Sequence, residues 1–272
     1  MSDENPYLPT MAKLVEVVEE TPTIKTLVLA PAEPMPFKAG QFVQLTLPGV
    51  GEAPFTPSSS PHRPERIDIT ILKTGVLTDR FHECKVGQTL GLRGPFGKGY
   101  PVESLDGMEV LIVGGGVGLA PLRALIYAVL ERLNRLKRVS IKYGARETAE
   151  LLYRPMYGDW ARRKKVDFTC TIDRPEPGWD GRTGVVTTLL KDLDIDRKNS
   201  NAFVCGPSIM LKFTTFALLE EGFSPDQIYL SMNRRMSCGM GKCGRCNIGP
   251  YYLCKDGPDM KYSLIKDYPN VF

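Results

Sequence analysis

Val110-Leu-Ile-Val-Gly-Gly-Gly-Val-Gly-Leu-Ala-Pro121 decides how the second half of this chain folds. Four apolar residues in a row read as a buried strand, and the glycines that follow end it in a tight turn. Pro121 suits the first turn of a helix, where its missing N–H costs nothing. The apolar run continues to Leu130 and is long enough to raise a membrane span. Gly114, Gly115, Gly116 and Gly118 break its first part, and Arg123 charges the second, so the reading is strand, turn, buried helix. The pattern predicts an amphipathic helix over Pro121–Lys137 and further buried strands over Val139–Tyr143, Val166–Ile172 and Ala202–Cys205. Helical stretches over Val185–Leu193 and Ile209–Glu221 separate them. Strands alternating with helices make a doubly wound parallel α/β sheet.

A glycine turn between the first strand and helix of such a sheet lets a diphosphate approach backbone amides at a helix N-terminus. The segment departs from the ordinary dinucleotide fingerprint. Counting from Gly114 puts Leu119 at the third glycine position, and counting from Gly116 puts Pro121 there. The next strand ends Tyr143-Gly144-Ala145-Arg146, without the acidic residue that would hold a ribose 2′-hydroxyl. Tight strand–helix packing is the competing account of the glycines. Cys205-Gly206-Pro207 adds a thiol and a glycine at the carboxyl edge of the same sheet, where ligands bind.

Upstream, residues 11–100 carry short alternating strands separated by Gly and Pro, such as Thr26–Leu29, Gln41–Leu47 and Ile67–Leu72. That density argues an antiparallel β-barrel. The rhythm changes after Asp106-Gly107, and from Asn233 the composition shifts to Cys, Gly and Tyr. The domains expected are 1–103 (barrel), 104–232 (α/β) and 233–272 (C-terminal module), in an α+β multidomain chain. At 272 residues, with 42% hydrophobic and 24% charged side chains, the chain has the composition of a soluble globular protein. Its net charge of +4 is spread without a Lys/Arg run, so no nucleic-acid partner is expected; Arg162–Lys165 reads as a solvated helix end. The acidic start, Met1 to Pro6, has no apolar h-region, and the cysteines outside the terminal run are scattered. Both point to the cytoplasm.

Four of the seven cysteines lie close together as Cys238-x4-Cys243-x2-Cys246-x7-Cys254. The first three match the opening of plant-type [2Fe–2S] ferredoxins, and Gly239, Gly241 and Gly244 suit a loop that wraps a cluster through φ > 0. A structural zinc site is the alternative, although only Cys243 and Cys246 form the close pair that zinc prefers. Arg234, Arg235, Lys242 and Arg245 surround these cysteines. They would raise the potential of an anionic cluster, or form a basic face for an acidic partner, and the two roles can coexist. Cys84 and Cys170 read as small buried hydrophobes, and His62 and His82 sit in no motif.

A barrel followed by G-G-G-x-G-x-A-P, Y-G-A-R and C-G-P-x-x-M resembles the ferredoxin–NADP⁺ reductase superfamily. With the four-cysteine module, the resemblance narrows to electron-transfer subunits of dihydroorotate dehydrogenase, anaerobic sulfite reductase and cytoplasmic nickel–iron hydrogenases. Asn5-Pro-Tyr-Leu-Pro9, Gly51–Ser59, Gly94-Pro-Phe-Gly97 and Asn233–Cys238 are most similar to the last two. The resemblance implies FAD on the barrel, a nicotinamide nucleotide (NAD(P)H) on the α/β domain and a [2Fe–2S] cluster on Cys238, Cys243, Cys246 and Cys254.

Carried over by residue, the resemblance puts the flavin against Pro54, Phe55 and Thr56, with Ser58 and Ser59 following; for Ser58–Ser60 an ordinary polar turn is equally expected. Ala53 stands where the family has an arginine for the diphosphate, which leaves FMN open beside FAD; Lys73 or Arg80 would have to supply the charge. Gly75, Val76, Leu77 and Thr78 match the family's second flavin stretch. The nucleotide falls to Gly114, Gly115, Gly116, Val117, Gly118, Pro121, Gly144, Arg146, Cys205, Gly206 and Pro207. Cys205 would lie by the reactive nicotinamide carbon and orient the ring. Arg146 would pair a 2′-phosphate and favour NADP(H), unless it pairs Glu147 or Glu150. The implied function is hydride exchange between NAD(P)H and flavin, with single electrons passed to or from a partner subunit. A hydrogenase is the first choice, then sulfite reductase or dihydroorotate dehydrogenase; a non-catalytic redox sensor is the reading from another class.

Overall fold

The computed structural model describes residues 5–191 and 193–272, which form two compact units. The first combines the chain through Tyr100 with Met232–Pro258, and the second combines Pro101–Ser231 with Asp259–Phe272. The C-terminal stretch, read from sequence as one module, is therefore divided between the two.

In the first unit, β1 (Thr10–Thr21), β2 (Ile24–Pro31), β3 (Phe42–Leu47), β4 (Gly51–Phe55), β5 (Ile67–Leu72) and β6 (Thr89–Phe96) form one antiparallel sheet, ordered β4-β3-β6-β1-β2-β5. The chain leaving β4 returns to the opposite edge, where the Ser58 amide donates to the Asp68 carbonyl of β5 at 2.8 Å. The sheet is thereby drawn round into the expected barrel. Leu14, Leu27, Leu29, Leu45, Ile67, Ile69, Ile71, Leu90 and Leu92 fill its interior. A short helix, α1 (Val76–His82), follows β5 and drives Phe81 into the core.

In the second unit, β7 (Glu109–Gly115) is the central strand. It is followed by α2 (Leu119–Glu131), β8 (Arg138–Ala145), α3 (Tyr157–Ala161), β9 (Val166–Ile172), β10 (Arg182–Thr183), β11 (Ser200–Cys205), α4 (Ser208–Glu220) and β12 (Ile228–Ser231). The order β10-β9-β8-β7-β11-β12 is parallel throughout. The strand Asp259–Lys261 then adds antiparallel to β12 and covers an edge that would otherwise expose unpaired backbone. No helix among the described residues is long and apolar enough to cross a membrane.

Two helices and one cysteine depart from the sequence reading. The helix expected over Pro121–Lys137 stops at Glu131, because the chain folds back through turns and the Lys137 amide bonds the Met108 carbonyl. The helix expected over Val185–Leu193 contracts to one tight turn at Val186–Leu190; position 192 lies outside the described residues. Val185, Val186, Thr187 and Thr188 are β-branched and disfavour a longer helix. Cys170 is half-exposed on β9, whereas Cys84 is buried as expected.

Adjacent strands β7 and β11 end side by side, with Cys205 opposite Gly114. A Cβ at Gly118 would overlap the Cys205 carbonyl, and one at Gly115 or Gly206 would overlap the Met210 sulfur from α4. Gly116 differs, because it has φ +54° and faces open space. Gly118→Ala is therefore expected to cost about 3 kcal/mol, since backbone cannot yield as a flexible side chain does. Gly116→Ala should cost only about 1 kcal/mol of left-handed strain. Urea midpoints of the full-length variants check the contrast, and equal losses would show that the close approach is not limiting.

Candidate functional site

The four cysteines occupy the loop that follows β12. It closes with a two-stranded ribbon, Asn247–Ile248 against Tyr251–Tyr252, and the helical turn Leu253–Asp256. Cys238, Cys246 and Cys254 are buried and Cys243 is exposed. Cys243 helps to lower the Cys238 thiol and Cys246 helps to raise the Cys254 thiol, so each of these two pairs lies within electrostatic reach. The loop turns its amides inward. Met240 N and Lys242 N donate to the Cys238 sulfur at 3.4 and 3.3 Å, and Gly241 N to the Cys254 sulfur at 3.0 Å. Gly239, Gly241 and Gly244 have φ of +79°, +71° and +75°, the left-handed backbone such a wrap requires. Burial works to raise the Cys238 pKa, but the amides of Met240, Cys243 and Lys242 overcome it and bring the thiol down to about 6. Burial and the neighbouring Cys246 push Cys254 up to about 12.

Sequence reasoning missed what anchors this loop. Arg93, on β6 with 4% of its side chain exposed, grips Glu52 bidentately, Nε to Oε2 at 2.9 Å and NH2 to Oε1 at 2.5 Å. Its NH1 donates to the carbonyls of Pro6 at 3.1 Å and Cys238 at 3.3 Å, and NH2 reaches that of Ser237 at 3.4 Å. Gln44, buried on β3, donates to the Met236 carbonyl at 2.7 Å. The only signal available was a charged residue and an amide inside otherwise apolar strand patterns. Arg93's hydrogen bonds hold the Glu52 carboxyl below its ordinary pKa; burial opposes them and the Thr46 hydroxyl assists.

The two stretches expected to meet a flavin are neighbours. Pro54 and Phe55 lie on β4; Phe55, half-buried, packs edge-on against Phe81 of α1 at 5.9 Å. A Cβ on Gly51 would meet Leu77 at 3.6 Å. Gly75 opens α1 with nothing within 4 Å of a Cβ, and the amides of Val76 and Leu77 have no helical partner. Thr56 continues β4, half-buried. The Thr78 hydroxyl is already engaged, accepting from Thr74 N and Gly75 N and donating to Gly75 O. Ser58 and Ser59 are also used internally: Ser58 Oγ bonds Thr70 Oγ1 at 2.8 Å, and Ser59 Oγ accepts from Asp68 N. Arg80 pairs with Glu83 at 2.8 Å rather than waiting for a phosphate.

In the second unit, Gly114–Gly118 lie between Cys205-Gly206-Pro207 on one side and Gly144 on the other, where Gly115 registers with Gly144. Gly116, Val117, Pro121 and Gly206 are half-exposed and Pro207 is exposed, at the start of α2 and beside it. The Tyr143 hydroxyl, another group missed from sequence, donates to the Gly116 carbonyl at 3.2 Å and accepts from Leu152 N at 3.2 Å. Gly144 lies tight against Val186, while Arg146 is exposed and pairs with neither Glu147 nor Glu150. Cys205 is buried; burial pushes its thiol up to about 12, although a hydrogen bond with Ser231 pulls the other way, and Asp259 adds to the rise. At neutral pH it is a neutral thiol that can orient a ligand but not attack one.

Residues 10–100 match the family described as oxidoreductase FAD-binding domain, residues 112–215 the oxidoreductase NAD-binding domain, and residues 233–266 the iron-sulfur cluster binding domain of dihydroorotate dehydrogenase B. Sulfhydrogenase 1 subunit gamma of Pyrococcus furiosus is 35% identical over 100% of this chain and 97% of its own length. A probable dihydroorotate dehydrogenase B (NAD(+)) electron transfer subunit of Methanocaldococcus jannaschii is 36% identical over 92% of this chain and 88% of its own. Among solved structures, the NADH-dependent reduced ferredoxin-NADP oxidoreductase described for flavin-based electron bifurcation superposes with a TM-score of 0.77. It is 25% identical, covering 100% of this chain and 93% of that one.

Arg93→Met should destabilise the protein by about 3 kcal/mol, because it strands a partly buried carboxylate and the Cys238 carbonyl together. The pH dependence follows from the depressed Glu52 pKa. Its contribution is complete above the ordinary carboxylate value and fades as pH falls through the lower folded-state value. The difference in urea midpoint between parent and Glu52→Gln should therefore be constant above roughly pH 5 and shrink in acid. A difference that grew in acid would reverse the assignment.

Proposed function

We infer that this chain, which belongs to the ferredoxin–NADP⁺ reductase-like family of electron-transfer subunits, exchanges hydride with NAD(P)H and relays single electrons to or from a partner subunit. When bound, the flavin supplies the conversion between hydride and single electrons and the iron–sulfur cluster supplies their relay. The observation that carries the reading is that the cysteine loop belongs to the same compact unit as the flavin-type barrel, bonded to it through Arg93 and Gln44. The cluster proposed is [2Fe–2S], with Cys238 and Cys243 on one iron and Cys246 and Cys254 on the other. The two thiol pairs support this, since two irons want two thiolates each.

The flavin proposed is FAD, held by Pro54–Thr56 and by the amides that open α1; the internal bonds of Ser58, Ser59 and Thr78 give those three the supporting role of shaping the cradle. Gly116 and Val117 offer amides to the nucleotide diphosphate, while Gly114, Gly115 and Gly118 let the turn seat against Cys205 and Gly206. The neutral Cys205 thiol positions the nicotinamide. No acid–base dyad is needed, because a hydride carries its proton and electrons together. The partner proposed is a hydrogenase-type large subunit, on the strength of the near-complete match to sulfhydrogenase gamma subunits.

Anaerobically purified protein should hold about two irons per chain and give a rhombic paramagnetic resonance signal on reduction. Stoichiometric zinc instead would overturn the cluster. NADH or NADPH should bleach the bound flavin rapidly, and inertness to both would favour a redox sensor. For nucleotide choice, the unpaired Arg146 supports a modest preference for NADP(H). Arg146→Ala should lower kcat/KM for NADPH selectively, by about 1.5–3 kcal/mol. Equal losses with NADH would make the arginine structural.

A further inference from the structure

The face of the parallel sheet beneath the turn Val186–Leu190 carries side chains that a buried sheet face does not ordinarily hold. On β8, Arg138, Ser140 and Lys142 point to this side, and the register sets Asp167 and Thr169 of β9 beside the last two. The alternate residues Tyr143 and Phe168 point the other way and pack against Tyr157 of α3. Over β7 the same face is apolar, with Leu111 and Val113 buried; over β8 and β9 it turns polar. Its roof is a single tight turn rather than a helix, and a cavity of about 270 Å³ lies under it.

Lys142 forms the floor of this cavity and is 7% exposed. Its ammonium donates to Asp167 Oδ2 at 2.7 Å and to Thr169 Oγ1 at 3.1 Å, which leaves one of its three donors over. Asp167 Oδ2 also accepts from Ser140 Oγ at 3.0 Å and has Arg138 NH2 at 3.7 Å. Burial works to raise the Asp167 pKa, but Lys142, Ser140 and Arg138 outweigh it and hold the carboxyl below its ordinary value. Arg138 NH1 bonds Asp194 at 2.9 Å, so both carboxylates in the wall are already matched. Arg182 of β10 and Lys191 after the turn stand exposed at the rim, and neither forms an ion pair among the described residues. Four lining cations (Arg138, Lys142, Arg182, Lys191) against Asp167 and Asp194 leave the cavity a net +2. Apolar packing of the same volume is often as stable as a buried ion pair, so folding alone does not call for this strip.

We propose that this cavity is a binding site for a phosphate dianion, free or carried as a small phosphate monoester, separate from the nucleotide edge. Two surplus cations match the charge of a phosphate monoester at neutral pH. The cations come from three elements, β8 in the floor, β10 at one side and the segment after the turn. That arrangement suits three phosphate oxygens, and the Arg182 fork can take two of them at once. Leu189 and Leu193 are buried in the same wall and give a short carbon chain an apolar surface. The cavity is closed toward the nucleotide edge. Val186 sits on Gly144, where an added Cβ would lie 2.8 Å from the valine Cβ. The strand leading into the roof is pinned there too, as Thr171 Oγ1 donates to the Gly184 carbonyl at 2.7 Å and Gly184 N to the Ile172 carbonyl at 2.8 Å. Nothing in the proposal depends on the electron-relay reading.

Isothermal titration calorimetry of the full-length holoprotein with inorganic phosphate, and separately with glycerol 3-phosphate, tests this at about 0.15 M salt. Each titration is run without and with NADP⁺, which occupies the nucleotide edge. Saturable binding at one site per chain is expected, with the same Kd in both conditions. Arg182→Ala with Lys191→Ala should raise that Kd about tenfold or more, whereas Arg146→Ala at the nucleotide edge should leave it unchanged. Both rim residues are exposed, so the double variant keeps its fold, which an unchanged urea midpoint checks. Lys142→Met would strand Asp167 and can unfold the unit, so the rim pair carries the test. Tighter binding of glycerol 3-phosphate than of phosphate identifies a monoester as the ligand, and the reverse order identifies free phosphate. Heats that fail to saturate by roughly 10 mM would overturn the proposal, as would a Kd indifferent to the rim pair. Binding abolished by NADP⁺ or by Arg146→Ala would place the anion at the nucleotide edge and overturn it as well.

Discussion

Much of the first unit hangs on one guanidinium. A buried arginine is tolerated only when its donors are met, and Arg93 meets them with Glu52, Pro6, Ser237 and Cys238. Those partners come from the N-terminal turn, from β4 and from the cysteine loop, segments far apart in sequence. The cysteine loop could not stand alone, because fewer than about 40 residues bury too little apolar surface to fold without a staple. Here the staple is polar and preorganised by the barrel, with Gln44 adding a second attachment at Met236. The bidentate Glu52 contact fixes the plane of the guanidinium, and so the direction in which its remaining donors point.

The glycine turn of the second unit invites a choice between binding and packing, and the structure removes the need for one. Gly115, Gly118 and Gly206 are small because Met210 and the Cys205 carbonyl occupy the space a Cβ would take. That close seating lets the ends of β7 and β11 form one continuous edge. Gly116 is the residue whose backbone conformation, rather than its neighbours, asks for glycine. Tyr143 then ties the turn to the segment after β8 through the Gly116 carbonyl. Packing residues thus set the shape of the turn, and the amides it leaves outward are what a diphosphate would use.

Elements with a strong period were legible in the sequence. The strand over Val166–Ile172 matches residue for residue, and the barrel and parallel sheet both follow from alternation and apolar runs. Over Val185–Leu193 hydrophobic spacing alone predicts too long a helix, because it cannot see four successive β-branched residues tightening the backbone into a single turn. The cysteine positions and their glycines were legible because spacing and φ requirements are local. Arg93 and Glu52 were not, since their meaning comes from a contact across 41 residues that no local pattern records. The fate of Thr78 was hidden for the opposite reason: its hydroxyl satisfies two amides within its own turn, a local competition that a motif match overlooks.

The cysteine loop also separates two electrostatic tasks that sequence alone merges. Backbone amides at Met240, Gly241 and Lys242 already point at the buried sulfurs of Cys238 and Cys254. Amides at that range work in a low-dielectric pocket and cannot be screened by salt, so they are the groups fitted to offset thiolate charge. The unlike thiols show the effect. Cys238, with three amides upon it, is drawn down, while Cys254, with one amide and a neighbouring thiol, is driven up. Charge neutralisation at the ligands therefore does not require the side chains of Arg235, Lys242, Arg245 and Lys255. Their exposure leaves their field in solvent, where it acts on whatever approaches Cys243.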